Sequence, residues 1–186
     1  MAKQPAQERF PELREFIKGN DQRVSDFCAC LLPADQFRQE LVLEIFREFG
    51  EDYRAQAAAP QEGAAPDALL VTLFQIAWKH VQQSQSHAYF PMVTGRDTRI
   101  LQELDANLLA AQPLYEKTRE RLLRVDPELR ATVVLRDILG FTDEQSAAVL
   151  GLRWGVYRHR LHRGRLDFKD ALKGLPRGAA ENTASA

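Results

Sequence analysis

Apolar residues recur along this chain at steps of three and four. Leu13, Phe16 and Ile17 form one short stripe, and Val24, Phe27, Cys28 and Leu31 form another. That is the period of a helix with one buried face. Phe37, Leu41, Ile45 and Phe49 repeat every four residues with Phe46 beside them. This predicts a helix over 35–49, preceded by Pro33 and capped by Asp35. Leu69, Leu73, Ile76, Ala77 and His80 share one flank of a helix predicted over 68–83. About four helices are therefore expected in 1–83, and a connecting helix with a second bundle in 98–173. No segment shows the period-two alternation of a half-buried strand, so the expected fold is all-α, with two small helical domains.

Three stretches interrupt the pattern. Residues 55–67 are rich in Ala, Pro and Gly and read as a loop between helices. Residues 84–97 lose periodicity around Pro91 and Gly95, which marks a candidate boundary, and 174–186 reads as a disordered tail. The expected organisation is a first domain over 1–94, a linker helix over 95–124, a second domain over 125–173 and the tail.

The densest local signals lie in 126–168. Leu129, Val133, Val134, Ile138 and Leu139 predict a helix over 128–139, and Gly140 suits the left-handed conformation that ends one. Thr142 with Gln145 three residues on has capping-box spacing and opens a short helix whose compact face is Ala147, Ala148 and Leu150. Gly151 turns the chain into a helix over 153–168. Helix, glycine turn, helix is the helix-turn-helix layout, whose second helix lies in the DNA major groove. Trp154, Tyr157, Leu161 and Leu166 are expected to supply that helix's buried face. Arg153, Arg158, His159, Arg163 and Arg165 then lie outward, with Arg160 and His162 unassigned by spacing.

Charge sharpens this reading. The chain has 25 basic and 26 acidic side chains, a net charge of -1, which argues against a uniformly basic coat protein. The balance is uneven: 9 basic and 13 acidic residues in 1–94, 6 and 5 in 95–124, and 10 and 8 in 125–186. Residues 153–165 hold five arginines and two histidines without an acid. Arginine forks onto guanine edges or phosphate oxygens. DNA binding is the leading reading of this helix, and a protein contact or a plain solvated face are the alternatives.

Other chemistry is thin. Cys28 and Cys30, two apart on a helix, point in different directions and are read as small buried residues, not a metal site. No apolar run approaches the ~20 residues of a membrane span, and the first residues lack a signal-peptide core, so the expected location is the cytoplasm. Without a Gly-rich phosphate loop, a zinc-binding histidine pair or a nucleophile elbow, neither an enzyme nor a cofactor, metal or small-molecule substrate is expected.

Residues 126–165 resemble the promoter-reading C-terminal domain of RNA polymerase sigma factors of the extracytoplasmic-function type. The matches are Pro127–Glu128–Leu129–Arg130, Val134–Leu135–Arg136, Gly140–Phe141–Thr142, Ala147 with Val149–Leu150–Gly151, Gly155, Arg158, Arg160–Leu161 and His162–Arg163. The resemblance implies that Arg153, Arg158, His159, Arg160, His162, Arg163 and Arg165 meet the -35 promoter element and that the domain packs on the polymerase beta flap. The N-terminal half is more distantly similar to the family's core-binding domain, with Gln39–Glu40 in its Gln–Glu positions and Phe46 in a Trp position. This implies that Gln36, Gln39, Glu40, Glu44 and Phe46 face the beta' coiled coil of polymerase core or another partner. Leu73–Phe74–Gln75–Ile76–Ala77 resembles the helix that supports promoter melting, with Trp78, Tyr89 and Phe90 as aromatics for unstacked bases. The sequence departs from the family at Thr72, Trp78–Lys79, Trp154 and Val156–Tyr157. It also has His80–Val81–Gln82–Gln83–Ser84–Gln85–Ser86–His87 where the family carries a basic cluster. Two functions are therefore expected as alternatives. One is a divergent sigma factor that directs initiation. The other is a sigma-like adaptor that binds an anti-sigma factor or another protein and does not open promoters.

Overall fold

The stripes at 13–17 and 24–31 belong to a single helix, α1 (Pro11–Leu31). It appears in a computed structural model of the chain, which describes residues 11–33, 38–57, 66–85 and 113–173. The described part of 1–83 therefore holds three helices instead of about four: α1, α2 (Arg38–Ala57) and α3 (Pro66–Gln85). Nothing between Ile17 and Val24 is strong enough to stop α1. Gly19 costs a helix only about 1 kcal/mol, and the Asn20 amide donates to the Phe16 carbonyl one turn back at 2.8 Å instead of starting a new helix. α2 continues past Phe49 because Tyr53 packs against that ring at 6.4 Å. Asp35, its expected cap, lies outside the described residues. α3 opens on Pro66, a residue suited to the first helical position.

These helices pack through the apolar positions already identified. Phe16 stacks on Phe49 at 5.5 Å, and Phe27 meets Phe74 edge-on at 5.3 Å. Cys28 and Cys30 are both buried. Burial pushes the Cys28 thiol up to about 12, which keeps it protonated and inert near neutral pH.

The second half consists of α4 (Pro113–Leu122), α5 (Pro127–Val133), α6 (Asp143–Val149) and α7 (Trp154–Leu172). α4 falls within the expected linker, and the expected boundary beyond Gln85 and the tail lie outside the described residues. α5 starts at an Asp126 cap that accepts from the Glu128 and Leu129 amides at 2.9 and 3.4 Å. It then widens into a π-helical turn, Val134–Ile138, where the Leu139 amide donates to the Val134 carbonyl at 2.9 Å. The wider turn changes which side chains face inward, so Ile138, expected in the core, is exposed. The described residues contain no strand.

The two halves share one apolar core, with α3 against α6 and α1 against α4, α5 and the π-turn. A helix leaves its last four carbonyls without intrahelical partners, and α1 has no basic residue in its last turn. The second half supplies the donors. Arg119 donates to the Ala29 carbonyl at 2.6 Å and to Leu32 at 3.0 Å. Arg130 donates to Leu31 at 3.0 Å and to the Val125 and Leu123 carbonyls at 2.9 and 3.1 Å. In the reverse direction, Arg23 of α1 donates to the Leu139 carbonyl at 3.0 Å, with its guanidinium 4.9 Å from the Phe141 ring. Phe141 meets Phe74 edge-on at 4.7 Å, and the Gln75 amide donates to the Ala148 carbonyl at 3.0 Å. Desolvation lowers the pKa of both Arg23 and Arg130.

Candidate nucleic-acid interface

The helix-turn-helix is set by its turns. Gly140 and Gly151 have φ of 71° and 63°, the left-handed conformation that disfavours other residues. Thr142 caps α6 with both halves of the capping box: its hydroxyl accepts from the Gln145 amide at 3.1 Å, and Gln145 accepts from the Thr142 amide at 2.9 Å. Arg136 holds the first turn, donating to the Phe141 carbonyl at 3.0 Å and pairing with Asp143 at 2.8 Å. The inward residues of α6 are Ser146, Ala147 and Val149. Ala148, expected on that compact face, is exposed, and its carbonyl takes the Gln75 bond instead.

α7 carries two opposed stripes with the same spacing. Tyr157, Leu161 and Gly164 are buried, and Phe168 continues that line partly buried. A Cβ added at Gly164 would lie 2.8 Å from the Leu129 carbonyl oxygen, so the residue lets α5 and α7 approach closely. On the far side Gly155, His159, His162 and Leu166 form an exposed line. This corrects two expected core residues. Leu166, 46 % exposed, falls on the outward stripe. Trp154, 45 % exposed, covers only one ring face by stacking on Tyr157 at 6.0 Å. The Tyr157 hydroxyl donates to Asp143 at 3.2 Å. Burial raises the Tyr157 pKa.

The arginines of α7 fall into two groups. Arg153, at the cap position, and Arg158 are exposed and make no ion pair with a described residue. The others are engaged: Arg160 with Glu128 at 2.8 Å, Arg163 with Asp167 at 3.3 Å, and Arg165 with Asp137 at 2.6 and 2.9 Å. Arg160 is half-buried, whereas Arg163 and Arg165 keep exposed heads. His159 and His162 are exposed. A shallow concavity between α6 and α7 is lined by Asp143, Arg158, Leu161, His162 and Arg165.

The N-terminal candidate residues do not converge in the same way. Gln39 is exposed and Glu40 partly buried. Glu44 pairs with Arg47, whose hydrogen bond holds the carboxyl below its usual range. Phe46 is buried in the domain core at 5 % exposure, and Trp78 is buried at 8 %. Gln36, Tyr89 and Phe90 lie outside the described residues. Lys79 and buried His80 both bond Glu48, at 2.6 and 2.7 Å. Spacing gave no sign that Arg23, Arg119 and Arg130 would bridge the halves, because their partners are carbonyls distant in sequence. Among the described residues no group of three metal-ligating side chains occurs, and no helix is long and apolar enough to cross a membrane.

No protein-family model matches the chain. A 46-residue stretch is 50% identical to the ECF RNA polymerase sigma factor SigE of Mycolicibacterium smegmatis, covering 25% of this chain and 18% of that protein. This chain therefore matches less than a fifth of that relative's length. Two solved structures are similar across both halves. One is the sigma factor RpoE in complex with the anti-sigma factor NepR from Bartonella quintana, with TM-score 0.62, 16% identity, and coverage of 89% of this chain and 99% of that one. The other is CnrH in complex with the cytosolic domain of CnrY, with TM-score 0.60, 18% identity, and coverage of 90% and 91%. The chain is thus similar to extracytoplasmic-function sigma factors, in sequence over one segment and in fold across both halves.

Proposed function

We propose that the chain is a divergent sigma factor that joins RNA polymerase core and directs it to promoters, with α7 reading the -35 element. The observation that supports this reading is the outward stripe of α7. It is bordered by Arg153 and Arg158, which make no ion pair among the described residues, and by Arg163 and Arg165, whose acidic partners are themselves exposed enough to be exchanged for phosphate. Gln39 and the exposed side of α2 would meet the beta' coiled coil, while Phe46 supports that helix from within. The second domain would pack on the beta flap. Catalysis belongs to the polymerase in this reading, and the sigma positions the DNA.

The docking of α3 on α6 has a consequence for this function. Elements at -10 and -35 are about 25 base pairs apart, roughly 85 Å at ~3.4 Å per pair. Helices in mutual contact cannot reach both, so the halves must separate when polymerase and promoter are engaged. A specific observation favours a second reading: one similar structure was solved with the anti-sigma factor NepR bound and another with the cytosolic domain of CnrY, and the likeness spans both halves together. A sigma-like adaptor that captures an anti-sigma protein would keep the docked arrangement.

Reconstitution of the full chain with polymerase core and a promoter library separates the two. Promoter-specific open complex establishes initiation. Core-independent anti-sigma capture without open complex establishes the adaptor. The salt response of duplex binding refines the contact: five neutralised phosphates give a log–log slope of about -4.5, and Arg153 and Arg158 alone about -2.

A further inference from the structure

The end of α7 that would enter a groove first is apolar, although the helix is rich in arginine. Trp154 and Val156 are 45 % and 39 % exposed, among the few large hydrophobic side chains left open to solvent. They flank Gly155, about 100° to either side on the helix. A Cβ built on Gly155 meets nothing within 4 Å, so the backbone between the two side chains is open to close approach. Trp154 is held by its stack on Tyr157, which is anchored on Asp143. The result is an apolar start to the helix, with an open backbone strip at Gly155 between Trp154 and Val156, whose side chains project to opposite sides about 200° apart. Arg153 and Arg158 border it without acidic partners among the described residues, so its charge suits a polyanion more than a hydrophobic protein groove.

Helix-turn-helix units read bases with the first residues of their second helix. The apolar feature of the major groove is the C5-methyl of thymine, and apolar side chains discriminate by contacting it. We propose that the apolar start of α7, Trp154 with Gly155 and Val156, reads thymine methyl groups, with Arg153 and Arg158 anchoring the flanking phosphates. Specificity at this end then comes from a methyl group, not from an arginine fork on guanine. The inference rests on the DNA-reading function proposed above and assigns its base preference.

The test uses the full chain and a duplex selected from a randomised pool. Each thymine of the selected duplex is replaced in turn by deoxyuridine, which removes only the methyl. The expected result is a loss of about four-fold in affinity at one or two thymines, the effect of exposing one buried methyl group. W154A or V156A, each checked for folding by a thermal melt, should bind thymine and uracil duplexes with the same affinity. Selective, salt-dependent binding with no uracil effect at any position overturns the methyl reading and leaves the DNA-reading function standing. A uracil effect that persists in both variants also overturns it, by placing the methyl elsewhere. If no duplex is enriched and binding is absent at low salt, the DNA-reading function itself falls.

Discussion

Arg130 and Arg158 lie on neighbouring helices of one small bundle and do opposite things. Arg130 is 5 % exposed, and its donors go to the Leu31, Leu123 and Val125 carbonyls. Arg158 is exposed and has no ion pair among the described residues. The same contrast separates Arg23 and Arg119, bound to carbonyls across the contact between the halves, from Arg153 at the start of α7. Arginine cannot shed its charge, so once buried it must satisfy its fork. The carbonyls at the end of α1 need donors just as much. The interface is thus a mutual satisfaction of backbone acceptors and side-chain donors. Among the described residues no ion pair crosses it, so salt should loosen it little while weakening any contact of α7 with DNA.

The comparison can be broken most decisively at Arg130. Arg130→Ala strands buried carbonyls and should lower stability by about 3 kcal/mol or more in chemical denaturation, since each unsatisfied buried acceptor costs about 1–3 kcal/mol. An effect below about 1 kcal/mol would mean that water replaces the guanidinium and that the arginine is not what joins the halves. Gly164→Ala should cost about 1–3 kcal/mol, because the new methyl meets the Leu129 carbonyl oxygen at 2.8 Å. A thermal melt that does not move would show that α5 and α7 can part freely. Arg23→Ala should cost about 1–2 kcal/mol through one carbonyl bond and the cation–π contact with Phe141. Interdomain distances measured by spin labels should broaden in the same variant.

A pH titration tests the first half alone. Burial pushes the Glu48 carboxyl up, and the bonds from Lys79 and His80 outweigh that and hold it below its usual value. A depressed folded pKa gives stability that is present above the unfolded value and is lost as pH falls through the folded one. Glu48→Gln should therefore be less stable than the parent at pH 7 and show a shallower decline below about pH 5. Parallel acid-unfolding curves would assign the slope to other carboxyls. The smallest effect is expected at Arg158: Arg158→Ala should change stability by less than about 0.5 kcal/mol, while the salt slope of duplex binding becomes shallower by about 1.

Legibility differed with the range of the interaction. Gly140, Thr142 with Gln145, and Gly151 were readable because each acts within a few residues of itself. The buried line Tyr157–Leu161 was readable for the same reason. Trp154 and Leu166 are apolar yet exposed, because a helix in a small bundle has one covered side and leaves the opposite stripe open, so apolarity alone does not place a side chain. Ile138 was misplaced because the π-turn interrupts the 3.6 period on which the expectation rests. Two apolar stripes fall on the single helix α1 because the weak spot at Gly19–Asn20 is not a stop.

Local backbone preference and hydrophobic periodicity, both properties of short windows, determined that this chain is helical, where its glycine turns fall and that its last helix carries concentrated positive charge. The tertiary structure alone decided which arginines keep that charge available. A guanidinium is buried or left open according to whether carbonyls or carboxylates from remote segments come within about 3 Å of it, and sequence spacing does not encode that distance.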